Sequence, residues 1–202
     1  MSEQEDFWTG TFGTEYISRN KGSDLLASNT YFFSNALKFI SNKPETLMEI
    51  GANIGMNVDA LRNLFPRLEV SAIEINADAC QILDKKSVTV YQGSVTSVEC
   101  NKKFDLVLSK GVLIHIAPEL LDKTYEKIYN LSNEWILIGE YYNPSPTAID
   151  YRGYKNKLFK RDFAGEMLDK FNDLELCDYG FSYHRGKFAQ DDISWFLLRK
   201  SK

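Results

Sequence analysis

The chain has 202 residues, of which 24 are basic and 28 acidic, so its formal net charge is −4. Hydrophobic residues make up 44% and charged residues 26%, which is typical of a globular protein with a substantial core and excludes a disordered or fibrous chain. The mildly acidic balance argues against a surface that coats nucleic acid or an anionic membrane.

Apolar runs alternate with amphipathic segments, as in α/β proteins with a mostly parallel sheet. The predicted helices are Asn29 to Ile40, one after Gly55 that ends at Leu64, Ala77 to Lys85, one opened by Pro118, and one capped by Asp162 that runs through Phe171. The predicted strands are Thr46 to Ile50, Glu69 to Ile75, Val88 to Gln92, Phe104 to Ser109, Trp135 to Glu140, Leu174 to Phe181 and Ile193 to Leu198, with an irregular segment from Tyr141 to Lys157. We therefore expect a single domain, residues 1–202, with a doubly wound sheet and helices on both faces.

The compartment is predicted from features that the sequence lacks. No stretch approaches the ~18 apolar residues of a membrane span, and the acidic N-terminus lacks the basic and apolar regions of a secretory signal. Three scattered cysteines and two histidines favour reduced thiols over a disulfide framework and indicate no metal site. These features predict a cytoplasmic protein, and they leave its oligomeric state open.

The strongest motif is the segment LMEIGANIG, residues 47–55, which joins the first predicted strand to a helix. Its glycines permit a tight turn and the close approach of a ligand. A dinucleotide-binding G-x-G-x-x-G motif starting at Gly51 would need glycines where Asn53 and Met56 stand, so no pyrophosphate cradle is indicated.

The pattern E-x-G-x-x-x-G that begins at Glu49 resembles motif I of class I S-adenosylmethionine-dependent methyltransferases. Glu74 follows at the end of the second strand, where a carboxylate accepts both ribose hydroxyls; taken alone, it fits a solvated strand end equally well. The resemblance implies a Rossmann-like, seven-stranded sheet and S-adenosylmethionine as the cofactor. We expect the cofactor site to contain Tyr16, Arg19, Glu49, Gly51, Asn53, Gly55, Glu74, Ser94, Ser109 and Lys110.

Further candidates follow the third, fourth and fifth strands. Ser94 lies where this fold meets the adenine, although a simple turn residue would look the same. His115 follows the fourth strand, and its ordinary pKa near 6.5 suits a general base; a buried core histidine is the alternative. Tyr141, Tyr142 and His184 stand behind it as candidate bases.

Four aromatic-rich blocks extend the resemblance to a narrower family. They are residues 7–20 (FWTGTFGTEYISRN), 140–144 (EYYNP), 151–153 (YRG) and 158–163 (LFKRDF). Together with motif I, they span nearly the whole chain and resemble the pseudaminic acid biosynthesis-associated methylases. That resemblance implies a methyltransferase encoded with genes for bacterial surface nonulosonic acids, and it leaves the acceptor open.

The blocks also suggest how the site is covered. Residues 1–22 are too aromatic for a free tail, so we expect either a lid that excludes water from the cofactor, with Arg19 on the cofactor carboxylate, or a helix merely packed on the sheet. Residues 141–161 form a predicted acceptor-binding insertion. Between Arg152 and Arg161 this insertion carries five basic residues and no acid. Such a segment could bind an anionic small molecule, or it could be an ordinary solvated loop. The expected substrate set is Trp8, Asn143, Tyr151, Arg152 and His184.

These features predict methyl transfer to an oxygen, less readily a nitrogen, of an anionic acceptor. The acceptor would be a sugar acid, nucleotide sugar or phosphorylated precursor of a capsule, flagellar glycan or O-antigen, and an already anionic oxygen would need no base. Three alternatives stay open. They are an NAD(P)-dependent sugar oxidoreductase, a non-catalytic cofactor-binding scaffold, and an RNA methyltransferase, for which the basic loop offers only a small footprint.

Overall fold

The computed structural model describes residues 2–19 and 21–201; Met1 and Asn20, within the predicted lid, and Lys202 lie outside the described residues. The helices are α1 (Glu3–Thr9), α2 (Thr11–Ile17), α3 (Ser23–Ala36), α4 (Met56–Leu64), α5 (Ala77–Asp84), α6 (Leu121–Leu131) and α7 (Phe163–Lys170), with 3₁₀ turns at Leu113–His115 and Pro118–Leu120. The strands are β1 (Thr46–Ile50), β2 (Glu69–Glu74), β3 (Thr89–Gln92), β4 (Phe104–Lys110), β5 (Ser132–Glu140), β6 (Thr147–Tyr151), β7 (Tyr154–Lys160), β8 (Leu174–Ser182) and β9 (Ile193–Lys200).

Seven strands form one sheet in the order β3-β2-β1-β4-β5-β9-β8. The first five in that order run parallel, and β9 lies antiparallel between β5 and β8. The predicted doubly wound, mostly parallel seven-stranded sheet is thus confirmed. Because parallel strands end at one edge of a sheet, Ile50, Glu74, Lys110 and Glu140 lie along the same edge.

Helices cover both faces of the sheet, as two successive residues of β1 show. Leu47 packs into a core cluster with Phe33 of α3 and Leu61 of α4. Its neighbour Met48 packs into a second cluster with Ile128 of α6. A strand buried on both faces is apolar throughout, which is why β1 reads as a continuous apolar run.

The segment 141–157 corrects one prediction, because much of it is not irregular. Strands β6 and β7 form a separate antiparallel hairpin in which Tyr151 pairs with Tyr154. The two residues between them, Arg152 and Gly153, have φ angles of +51° and +86°. Positive φ at both positions is the signature of a two-residue hairpin turn whose twist matches the strands. The usual Asn-Gly signal is replaced here by Arg-Gly, which is why the pattern was missed.

Candidate active site

A cavity of about 320 Å³ opens at the carboxyl ends of β1, β2 and β4, within the size range of small-molecule sites. The sheet supplies Gly51, Glu74 and Lys110 to its wall. Trp8 and Tyr16 contribute from α1 and α2 on the opposite side. The ligand-binding edge expected of a doubly wound sheet is therefore concave here and covered in part by the N-terminal helices.

The backbone of the motif I loop lets neighbouring chain segments approach it closely. The N–H of Gly51 donates to the carbonyl of Ile73 at 2.7 Å, and its φ is +65°. A Cβ added at Gly51 would lie 2.7 Å from Cγ2 of Val112, so glycine lets this loop pack on the chain that follows β4. Gly55, also at positive φ, precedes α4 and does not line the cavity.

Glu74 is held at the cavity wall by two backbone groups. Its Oε2 accepts the N–H of Asn53 at 2.7 Å, and Oε1 accepts the N–H of Asn76 at 2.8 Å. With 6% of its surface exposed, Glu74 is not a solvated strand end. Burial raises the pKa of Glu74, and the two N–H groups oppose that rise. Each oxygen keeps a further lone pair that can accept a ligand hydroxyl.

At the end of β3 the cavity is lined by an acidic residue from α1, Glu5, which the sequence analysis did not predict. Ser94 and Glu5 both line the cavity, and the hydroxyl of Ser94 lies 3.0 Å from that of Thr96. Glu5 belongs to α1, where it also accepts the N–H of Ser2 in a capping box. The Ser-x-x-Glu pattern signals a helix start, but nothing in it signals that the glutamate reaches β3.

Glu49 is buried on β1 and Lys110 is half-buried on the neighbouring strand β4; Lys110 lines the cavity, whereas Glu49, expected in the cofactor site, does not. Oε1 of Glu49 accepts from Asn57 at 2.7 Å, while Oε2 has no partner among the described residues. Burial raises the pKa of Glu49 to about 7. Burial likewise lowers the pKa of Lys110 to about 8, and its Nζ donates one long hydrogen bond of 3.4 Å to Asn29. Both groups keep unused hydrogen-bonding capacity.

His115 lies in the 3₁₀ turn after β4 and lines the cavity. Its Nδ1 is 2.6 Å from the carbonyl oxygen of Lys157. Because a carbonyl only accepts, Nδ1 carries the hydrogen, and Nε2 of the neutral ring is an acceptor. Burial lowers the pKa of His115 to about 4, so the ring is neutral at neutral pH. The rings of Trp8 and Tyr151 lie 4.7 and 4.9 Å away, centroid to centroid.

Tyr141 also lines the cavity, but its phenol is poorly suited to accept a proton. Burial raises the pKa of Tyr141, and the nearby carboxylate of Asp191 adds to the rise. The phenol therefore stays protonated at neutral pH and acts as a hydrogen-bond donor. Ser109, expected in the cofactor site, instead points its hydroxyl at Glu140 at 2.9 Å.

Two predicted site residues lie at the surface with their own partners. Arg19, expected on a cofactor carboxylate, does not line the cavity, and its Nη2 lies 3.9 Å from Glu15. His184 lies in the loop before β9, exposed, with Nδ1 2.8 Å from Asp192. Neither side chain lines the cavity with the other candidates.

The residues after Tyr141 also turn away from the cavity. Tyr142 is 42% exposed, with its ring 5.9 Å from that of Phe196. Asn143 is half-buried, and its Nδ2 donates to the carbonyl of Ser145 and to Thr147. Tyr142 thus lies on the outer surface, and Asn143 holds the turn that leads into β6.

The predicted basic patch is divided by the hairpin. Arg152 lines the cavity, with its guanidinium over the ring of Tyr151 at 5.6 Å. Lys157 is buried against Glu3, Arg161 pairs with Glu166 at 2.7 Å, and Lys155 is exposed. Lys160 lies over the ring of Tyr141. Of the five basic residues, only Arg152 presents its side chain to the cavity.

Within residues 2–19 and 21–201, no group of three or more His, Cys, Asp or Glu side chains is placed to hold a metal ion. None of the helices in the described part of the chain has both the length and the apolar character needed to cross a membrane. Cys80, Cys100 and Cys177 are free thiols.

No family model and no curated protein match the chain. Several solved structures, however, match the fold of the chain. Magnesium protoporphyrin IX methyltransferase from Synechocystis PCC 6803, with bound S-adenosylhomocysteine, is 13% identical with a TM-score of 0.70, over 98% of this chain and 97% of that one. A Burkholderia thailandensis 1,6-didemethyltoxoflavin-N1-methyltransferase is 14% identical with a TM-score of 0.69, over 98% and 87%. The plantazolicin methyltransferase is 12% identical with a TM-score of 0.67, over 98% and 94%. The chain therefore has the fold of class I S-adenosylmethionine-dependent methyltransferases.

Proposed function

We propose that this protein transfers a methyl group from S-adenosylmethionine to an oxygen of an anionic sugar or phosphorylated precursor of a bacterial surface glycan. The observation that carries the proposal is Glu74, a buried carboxylate that lines a cavity beside the glycine loop at the strand ends and is held there by two backbone N–H groups. The same fold holds S-adenosylhomocysteine in enzymes that methylate a porphyrin and a toxoflavin precursor.

The polar groups of the cavity fit the parts of this cofactor. Glu74 would accept the ribose hydroxyls, while Ser94 and Glu5 offer acceptors at the adenine end. Lys110 offers a positive group to the carboxylate of the cofactor's amino-acid end, while Glu49 does not line the cavity and acts only through its charge on Lys110. When bound there, the cofactor supplies an electrophilic methyl group. A nicotinamide dinucleotide finds no cradle for its pyrophosphate in the motif I loop.

The acceptor end combines aromatic walls with one cation. Trp8 and Tyr151 flank His115, and Arg152 stands at the rim with its guanidinium stacked on Tyr151. A sugar ring presents apolar C–H faces to aromatic rings, and a carboxylate or phosphate suits a guanidinium. The resemblance of the aromatic blocks to the pseudaminic acid-associated methylases implies genes for bacterial surface nonulosonic acids nearby, and the choice of acceptor rests on the groups of the cavity. A single cation at the rim gives little footprint for RNA.

The chain's own groups then account for the reaction. His115 accepts the proton of an acceptor hydroxyl at Nε2, since Nδ1–H is fixed on the carbonyl of Lys157. An acceptor oxygen that is already anionic needs no such step. The aromatic residues of α1 and α2 form the lid that keeps water from the reacting atoms, which is the role we propose for residues 1–22. The protein would act as one cytoplasmic domain.

Calorimetric titration with S-adenosylmethionine, S-adenosylhomocysteine and NADH tests the cofactor. We expect heat from both sulfur compounds and none from NADH; silence from both in a folded sample would refute the proposal. Transfer of a labelled methyl group would then be measured with nonulosonic acids, their nucleotide-linked forms and matched neutral sugars. Binding of the cofactor without transfer to any acceptor would instead favour the scaffold alternative.

A further inference from the structure

A second buried carboxylate, Glu140, lies at the end of β5 and does not line the cavity. It is 2% exposed. Its Oε1 accepts the N–H groups of Val112 and Leu113 at 3.0 Å each and the hydroxyl of Ser109 at 2.9 Å. Its Oε2 is 3.5 Å from the N–H of Ile114. One side chain therefore receives three consecutive backbone N–H groups from another part of the chain.

These N–H groups begin the 3₁₀ turn Leu113–His115 and have no acceptor within it. The residue before the turn, Val112, has no side chain that could cap it. A carboxylate is the strongest acceptor for such groups, because its hydrogen bonds are charge-assisted and the start of a helical turn is electropositive. Glu140 thus caps the turn from a neighbouring strand, 26 to 28 residues further along the chain.

Glu140 affects the position of His115 without contacting it. The N–H of His115 donates to the carbonyl of Val112 at 2.8 Å, so the ring is carried by the turn that Glu140 holds. The hydrogen bond from Nδ1 to Lys157 fixes the other side of the ring. Moving the turn would therefore break the contact that sets the tautomer.

We propose that Glu140 is a positioning residue: it holds the turn 112–115 so that His115 keeps Nδ1–H on Lys157 and presents an unprotonated Nε2 to the cavity. The inference rests on the proposed function for its kinetic consequence, but the placement of the ring can be measured without it. Nothing else in the described structure caps all three N–H groups.

Glu140→Gln is the sharpest variant, because the side chain keeps its size while losing its charge and one acceptor. The amide NH₂ would also face backbone N–H groups that need an acceptor. Glu134→Gln is the matched control: the same change in the same strand, at a side chain that pairs with Arg199 away from the cavity. Glu140→Asp keeps the charge but withdraws the oxygens by one methylene. It replaces Glu140→Gln in the experiment if the glutamine variant does not fold.

The chain has only two histidines, so nitrogen NMR of the imidazoles reads His115 directly, with His184 as an internal reference. In the wild type we expect His115 as the Nδ1–H tautomer, titrating near pH 4. In Glu140→Gln or Glu140→Asp we expect a mixture of tautomers and a pKa raised by about one unit or more, as water reaches the ring. His184 should not move, and Glu134→Gln should resemble the wild type. A folded Glu140 variant with unchanged His115 signals would overturn the inference.

Kinetics give an independent readout at pH 8, above the pKa of about 7 to which burial raises Glu140. Glu140→Gln should lower kcat about 10²-fold, since small misplacements of reacting groups cost that much. The KM for the cofactor should change less than about twofold. In a His115→Ala background the same substitution should lower kcat no further. Equal losses in both backgrounds would indicate a merely structural role. If the protein transfers no methyl group at all, the proposed function fails while the NMR result still decides the inference.

Discussion

Substituting Glu74 by glutamine tests the cofactor site at its central contact. The carboxylate already receives one backbone N–H on each oxygen, at 2.7 and 2.8 Å, and is almost fully buried. Glutamine keeps the shape and one acceptor oxygen, but it brings an NH₂ donor to a place where the ribose hydroxyls also donate. We therefore expect weaker cofactor binding with an intact fold.

The size of the effect follows from the kind of hydrogen bond lost. A hydrogen bond to a charged, buried acceptor contributes about 1.5–3 kcal/mol. Loss of about 2 kcal/mol corresponds to roughly a 30-fold rise in Kd. Replacement by alanine should cost at least as much, because the loop at Asn53 and the turn at Asn76 also lose their acceptor.

Calorimetry with S-adenosylhomocysteine measures this change, and Glu69→Gln provides the control. Glu69 is exposed at the opposite end of the same strand, so its substitution should leave the Kd unaltered. An analogue in which both ribose hydroxyls are replaced by hydrogen should bind the wild type and Glu74→Gln equally well. A folded Glu74→Gln protein that binds S-adenosylhomocysteine as the wild type does would refute the role of this carboxylate.

Three further predictions concern the neighbouring groups. His115→Ala should slow turnover by ~10²–10⁴ on a hydroxyl acceptor while cofactor affinity stays constant; a full-rate variant would leave the histidine structural. Arg152→Ala should raise the KM of the acceptor with little change in kcat, whereas Lys155→Ala, on the same hairpin but exposed, should change neither. Because burial raises the pKa of Glu49 to about 7, the wild type should lose stability as pH rises from 4.5 through 7. We therefore expect the urea-unfolding free energy of Glu49→Gln, relative to that of the wild type, to increase by about 3 kcal/mol between pH 4 and 8. A difference that stays constant with pH would contradict the assignment.

The sheet could be predicted because its strands carry their information locally. A strand buried on both faces is a short apolar run, and β1 was predicted from Thr46 to Ile50, as observed. Glu74 was found for a similar reason, since an acid at the end of a parallel strand is visible in the sequence. The same signal was present at Glu140, but its meaning depends on N–H groups far away in the chain.

The parts that could not be predicted are contacts between distant segments. Glu5 of α1 lines the same cavity as Ser94, and His115 is fixed by a carbonyl 42 residues away. Arg19 does not line the cavity and lies 3.9 Å from Glu15, one turn earlier, a contact that the sequence pattern did not single out. Composition suggested a basic patch between Arg152 and Arg161, but a β-strand sends successive side chains to opposite faces and so disperses such a run.

The turn at the tip of the β6–β7 hairpin has a consequence for how this protein tolerates substitution. Arg152 adopts a left-handed backbone conformation that asparagine or glycine enters far more easily. Arg152→Asn or Arg152→Gly should therefore make the hairpin more stable, at the same time as it removes the guanidinium from the cavity rim. A screen for thermostability would select just those residues and would discard acceptor affinity, so at position 152 the most stable protein and the most active one are different proteins.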